Sequence, residues 1–114
     1  MQIDSEVLTN NVVKIMLSGR MDYQGVQKIE TSFTALTATN SQPTLIDMSE
    51  VSILVSWGLR ALLSAAKASA KNGGALVLFQ PQPFIYEILE ASGVSQLIPV
   101  AHELEEAFSL LKVN

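Results

Sequence analysis

The first twenty residues alternate between short apolar stretches and turn-forming residues. Residues 2–8 mix apolar and polar positions and stop at Asn10-Asn11, a pair that tolerates turn geometry. Residues 12–19 are rich in β-branched and other apolar side chains and end at Gly19, as expected of a strand that closes into a loop. This pattern predicts a first strand, a hairpin and a second strand.

The next segment changes from strand-like to helical periodicity. Between residues 24 and 38 the apolar side chains recur at helical spacing, with polar side chains on the other faces. These apolar side chains are Val26, Ile29, Phe33 and Leu36. Asp22 stands just before this segment, where a short carboxylate can accept hydrogen bonds from free backbone N–H groups. We therefore predict an amphipathic helix capped by Asp22, and a loop over the polar residues 37–43.

A strand, a helix and another strand are predicted in the middle of the chain. Residues 44–48 and 75–79 are short, almost uninterrupted apolar runs, which is typical of strands buried on both faces. The segment 56–72 between them has helical periodicity and ends at Gly73-Gly74, where glycine favours termination. Such a unit places its two strands parallel with a right-handed crossover.

The C-terminal third predicts two more helices around one short strand. Pro83 opens a helix over residues 84–92, residues 97–100 predict an edge strand that tolerates Pro99, and residues 102–111 predict a last helix. The whole order predicts one α/β domain over residues 1–114. Its sheet is mixed but mostly parallel, with about five strands and about four packed helices.

Composition narrows the classes of function. Apolar residues make up 48% and charged residues 16% of the 114 residues, which favours a packed globule. A net charge of −4, with seven Lys and Arg and no basic run, argues against direct binding to nucleic acid. There is no cysteine, no signal-peptide pattern and no apolar run approaching the roughly 18 residues of a membrane span. We expect a cytoplasmic protein without membrane insertion.

The sequence contains few residues that could form a catalytic site. His102 is the single histidine and is predicted in the first turn of the last helix, so neither a histidine metal cluster nor a Ser-His-Asp set has a spacing signal. Gly73-Gly74 lacks the spacing and the lysine of a phosphate-binding loop and follows a helix rather than preceding one. These observations predict a protein that is not an enzyme and has no cofactor and no metal site.

Four segments, taken in their order and spacing, resemble the motifs of the STAS domain family. They are residues 17–22 (LSGRMD), 45–51 (LIDMSEV), 55–60 (VSWGLR), and 71–74 (KNGG) followed by 89–94 (LEASGV). The resemblance covers residues 12–111. It implies an α/β domain of the anti-sigma factor antagonist type, which binds an anti-sigma factor that is also a serine kinase and so releases a sigma factor.

The same resemblance implies a phosphorylation site at Ser56, which matches the first serine of the family's Asp-Ser-Ser-Gly motif. This chain departs from the motif on both sides, with Val55 in place of Asp and Trp57 in place of the second serine. Phosphate at a helix start is favoured by free N–H groups and the helix dipole. The simpler interpretation is that the Ser56 hydroxyl caps the helix.

The helix predicted over 56–72 has two different faces. The helical spacing predicts a core stripe of Leu59, Leu62, Leu63, Ala66 and Ala70, and an outward face of Trp57, Arg60, Ser64, Lys67 and Lys71. Exposed Trp and Arg are frequent interface anchors, although the indole could instead fold onto the neighbouring loop. We therefore predict a partner-binding surface composed of Asp22, Ser49, Ser52, Ser56, Trp57, Arg60 and Ser64.

Three functions are compatible with these patterns. The first, which we favour, is partner switching with a kinase-type anti-sigma factor. The second is an accessory or scaffold subunit that is not phosphorylated, for example in a lipid ABC transporter complex, and the changes at Val55 and Trp57 favour it. The third is a hydrolase with Ser56 as nucleophile, which the absence of a Gly-x-Ser-x-Gly elbow disfavours.

Overall fold

A computed structural model describes residues 1–39 and 41–114, and within them the chain forms a mixed five-stranded sheet in the order β1-β2-β3-β4-β5. The strands are β1 (Gln2–Val7), β2 (Val13–Met21), β3 (Thr44–Leu54), β4 (Leu76–Phe79) and β5 (Val100–Ala101). The helices of the described residues are α1 (Tyr23–Ala38), α2 (Ser56–Lys71), α3 (Pro83–Ala91), α4 (Val94–Leu97) and α5 (Leu104–Leu110). β1 is antiparallel to β2 and the other pairs are parallel. The predicted fold class is confirmed.

The N-terminal hairpin forms where the pattern predicted it. Asn11 has a left-handed φ of 68°, which asparagine tolerates, and its N–H donates to the Leu8 carbonyl at 2.9 Å. β2 runs two residues beyond the predicted end at Gly19. Gly19 adopts a φ of 105° beside a shift in the β2–β3 register, so this glycine bends the strand without ending it.

β3 is much longer than predicted. The pattern ended this strand at Met48, whereas the strand continues to Leu54. Its first half pairs with β4 only as far as Asp47, and its second half stays paired with β2 until Leu54 lies opposite Met21. Because of this pairing, the polar residues after Met48 keep an extended backbone. β3 therefore runs beyond the end of β4 before α2 begins.

Helices cover the two faces of the sheet unequally. Buried side chains of α1, α2 and α3 form one core with the sheet, and α5 packs on the opposite face through Ala107. In α1, Ile29 and Phe33 are buried as predicted, while Val26 and Leu36 are half-buried. The predicted helix end near residue 38 is confirmed, whereas the loop predicted over 37–43 is placed too early, because Thr37 is buried within α1. Asn40 lies outside the described residues.

The predicted inward stripe of α2 needs a correction. Leu62 is buried, but Leu59, Leu63 and Ala66 are only half-buried and Ala70 is exposed. The buried line of α2 consists of Gly58, Leu62, Ala65 and Ser69. Apart from Leu62 its side chains are small, because the helix lies close to its neighbours. A Cβ at Gly58 would stand 2.7 Å from side-chain atoms of Met21 and Leu54. The hydrophobicity of the side chains alone could not predict which residues of α2 are buried.

The C-terminal segment contains one more helix than predicted. Gly93 has a φ of 84° and leads into the short α4, so Leu97 is helical and the edge strand is Val100–Ala101 instead of residues 97–100. The last helix begins at Leu104 with Glu103 at its N-cap. His102 therefore precedes this helix, contrary to the prediction, and its backbone N–H donates to Glu106 Oε1 at 2.9 Å.

Candidate functional site

The predicted site residues belong mainly to two strand ends that lie side by side. The last residues of β2 and β3, Met21 and Leu54, face each other in the sheet. The Val55 N–H then donates to the Met21 carbonyl at 3.3 Å. One residue separates each strand from the helix that follows it, with Asp22 between β2 and α1 and Val55 between β3 and α2. The first turns of the two helices are therefore neighbours at one edge of the sheet.

Asp22 caps α1, as predicted. Its Oδ1 accepts a hydrogen bond from the Gly25 N–H at 2.9 Å, and its Oδ2 accepts one from Arg20 Nε at 3.2 Å. The Gly25 hydrogen bond first, and the Arg20 guanidinium second, hold the pKa of the Asp22 carboxyl below its ordinary value. This carboxylate is thus engaged in fixing the start of α1, beside the start of α2.

Ser56 is the first residue of α2 rather than its N-cap, so the predicted capping role is wrong. The N-cap is Val55, which has no side chain able to accept a hydrogen bond, and its carbonyl accepts the N–H groups of Gly58 and Leu59. The reason is the length of β3, because the extended backbone persists through Val55 (φ −124°, ψ −176°). Within the described part of the chain the exposed Ser56 hydroxyl has no hydrogen-bond partner.

An aromatic and cationic cluster stands beside Ser56. The Trp57 ring packs edge-to-face on Tyr23, with ring centroids 4.9 Å apart and planes at 64°. The Arg60 Cζ lies 5.1 Å from the Trp57 ring centroid, within the range of a cation–π contact. Trp57 remains 46% exposed and Tyr23 45% exposed. The indole rests on a helical residue of α1, not on a loop, and keeps a free outer surface.

The outward face predicted for α2 is confirmed. Side chains spaced along it are exposed throughout, and these are Trp57, Arg60, Ser64, Lys67 and Lys71. Beside this face, α1 and α2 enclose an apolar groove of about 320 Å³ whose lining includes Ile29, Phe33, Trp57, Arg60 and Ala65. The exposed face of α2 and this groove share the Trp57 and Arg60 side chains.

Not all residues of the predicted partner-binding surface lie close to Ser56. Ser52 is exposed near the end of β3 and Ser64 lies two turns further along α2, about 12 Å from Ser56 along the helix axis. Ser49 is half-buried in the middle of β3, where its N–H donates to Asp47 and its carbonyl accepts from Gln82 Nε2. Several residues of extended chain, about 20 Å, separate it from Ser56.

Two exposed apolar residues of the site escaped the sequence prediction. Tyr23 supplies the ring under Trp57, and Val55, 41% exposed, flanks Ser56 on the other side. The available signal for Tyr23 was its position directly after a capping aspartate and off the apolar stripe of α1. An aromatic residue placed there has no core to enter and therefore belongs to the surface.

Two absences complete the description of the site. Among the residues that the structure describes, no three His, Cys, Asp or Glu side chains come together as a possible metal site. Over the same residues, no helix combines the length and the apolar character needed to cross a membrane.

The fold and this surface define a class of small α/β domain that offers an exposed serine and an aromatic cluster at the joined ends of two parallel strands. The family follows from comparison with known sequences. The chain belongs to the STAS domain family, whose sequence model matches residues 3–107.

Three known proteins are similar to this chain in sequence or in structure. The Bordetella bronchiseptica protein BtrV, assigned as an anti-sigma factor antagonist, is 28% identical over 96 residues, which cover 84% of this chain and 83% of BtrV. An anti-sigma factor antagonist from Mycobacterium paratuberculosis has a TM-score of 0.83 at 21% identity, over 97% and 93% of the two chains. The phosphorylated form of the Bacillus cell fate determinant SpoIIAA has a TM-score of 0.65 at 22% identity, over 95% and 97%.

Proposed function

We propose that this chain is an anti-sigma factor antagonist that binds a kinase-type anti-sigma factor through the surface at the start of α2. The observation that carries the proposal is the exposed Trp57–Arg60 pair directly beside the exposed Ser56 hydroxyl. Aromatic and Arg side chains are the types most enriched among binding hot spots. BtrV and SpoIIAA support the proposal, the first by its assignment and the second by its phosphorylated form.

Ser56 is the phosphate acceptor in this proposal. Its Oγ attacks the γ-phosphorus of ATP, a new O–P bond forms, the bond to the β-phosphate oxygen breaks and ADP leaves. The hydroxyl proton passes to a base of the kinase, because Val55 places no carboxylate next to Ser56. The modification adds about 1.5 to 2 negative charges at the centre of the binding surface and so weakens docking.

The other expectations fit this role. A protein partner, rather than nucleic acid, suits a chain with a net charge of −4, and cytoplasmic location follows from a partner that uses ATP and controls a sigma factor. The chain contributes no catalytic step, since the phosphoryl transfer belongs to the partner.

The test is phosphoryl transfer in vitro. Wild-type chain, Ser56→Ala and Ser52→Ala are each incubated with ATP and the kinase-type anti-sigma factors of the same genome, and intact masses are recorded. We expect a gain of one phosphate in wild type and in the Ser52→Ala control, and none in Ser56→Ala.

Two outcomes would contradict the proposal in different ways. A gain of one phosphate in Ser56→Ala would show that another residue is the phosphate acceptor. An unchanged mass in all three proteins, together with stable binding to a partner that does not phosphorylate it, supports the scaffold function instead.

A further inference from the structure

We propose that Arg60 reads the modification state of Ser56. In the unmodified chain its guanidinium lies over the Trp57 ring. A phosphate on Ser56 draws this guanidinium away from the indole and holds it in a charge-assisted hydrogen bond. The inference rests on the proposed phosphorylation of Ser56 and extends it to the mechanism by which the surface changes.

The geometry of α2 favours this exchange. Ser56 and Arg60 are four residues apart in one helix, and such residues lie on the same face with Cβ atoms about 5–6 Å apart. An anion that precedes a cation at this spacing has the favourable orientation in a helix. The long Arg side chain therefore reaches a phosphate on Ser56 without any movement of the backbone.

Arg60 is also available for the exchange. The ion pairs among the described residues are Lys14–Asp47 and Arg20–Asp22, so Arg60 is in no ion pair with any of these residues, and its guanidinium lies over the Trp57 ring. A planar guanidinium bonds a phosphate with two parallel N–H groups and does so more strongly than it binds an exposed aromatic face. The phosphate thus outcompetes the indole.

The neighbouring charges leave Arg60 as the cation for this phosphate. Arg20 is engaged with Asp22, and Lys67 and Lys71 follow Ser56 by three or more turns of α2. The Asp22 carboxylate would repel a phosphate, but the Arg20 guanidinium paired with it offsets its negative charge. On this account phosphorylation does more than add charge, because it removes Arg60 from the partner-binding surface and uncovers one face of Trp57.

Trp57 is the single tryptophan of the chain, so its fluorescence reports the contact directly. Phosphoserine is incorporated at position 56 during protein synthesis, in the wild-type background and in Arg60→Gln, with phosphoserine at position 52 as the control. We expect the emission of the position-56 phosphoprotein to move towards that of unmodified Arg60→Gln. The same modification should change the emission of Arg60→Gln very little, and phosphoserine at position 52 should leave the emission unchanged.

The second readout is the phosphate itself. The phosphoserine pKa, about 6 when unperturbed, is followed by ³¹P NMR. It should be lower by about half a unit or more in the Arg60-containing protein than in Arg60→Gln. Equal phosphate pKa values and equal emission changes in the two backgrounds would overturn the inference. Because the phosphoserine is built in without a kinase, a failure here is distinct from a failure of Ser56 to accept phosphate.

Discussion

Replacing Gly25 with alanine is expected to destabilise the domain by about 2 kcal/mol, the scale of overpacking in a dense interior. A Cβ at this position would stand 1.9 Å from the backbone carbonyl oxygen of Arg20 and 3.2 Å from the Met1 side chain. A backbone oxygen at the end of β2 cannot move aside as the end of a flexible side chain could. At an open helical position the same change would stabilise, because alanine loses less entropy on folding.

Urea and thermal unfolding measure the loss of stability in Gly25→Ala. We expect its melting temperature to be about 10 °C lower than that of wild type, for a domain of this size. Gln24→Ala is the matched control, since Gln24 is the exposed neighbour in the first turn of α1, and its stability should stay close to that of wild type. A Gly25→Ala variant as stable as wild type would show that α1 does not approach the end of β2 this closely.

Replacing Trp57 with alanine is expected to weaken binding to the anti-sigma factor about 30-fold, which corresponds to about 2 kcal/mol for a central aromatic anchor. The indole has a free outer surface and two ordered neighbours, Tyr23 and Arg60. Its side chain therefore binds without first losing much conformational freedom. Folding should be almost unaffected, because the ring is half exposed and contributes little to the core.

Calorimetric titration of the partner with each variant gives the dissociation constant. Lys67→Ala is the control on the same outward face, about three turns after Trp57, and should bind like wild type. If Lys67→Ala weakens binding as much as Trp57→Ala does, the contact surface is centred further along α2. If neither variant changes binding, the α2 face is not the interface.

Elements whose periodicity is local could be predicted from the sequence. The hairpin, the amphipathic α1, α2 and β4 all formed at nearly the predicted positions, because side-chain spacing and turn residues determine them within a few residues. The exposed positions of Trp57 and Arg60 followed from the same helical spacing. The Asp22 cap followed from a short carboxylate standing just before an apolar-periodic segment.

Features that depend on contacts between distant segments could not be predicted. The apolar run of β3 stops before Ser49, yet β3 continues because β2 remains beside it as a partner. That extension changes the role of Ser56, which becomes the first helical residue while Val55 takes the N-cap position. The contact between Tyr23 and Trp57 likewise exists only because two strand ends, far apart in sequence, are neighbours in the sheet.

The most direct test of the central claim is an NMR map of the surface that contacts the anti-sigma factor. The isotope-labelled chain is titrated with the unlabelled kinase-type partner, and amide shifts are followed residue by residue. We predict that the largest changes fall on the first turns of α1 and α2, including Asp22, Ser56, Trp57 and Arg60, and that α5 on the opposite face of the sheet is unaffected. Changes confined to α5, or no changes with any such partner, would contradict the account.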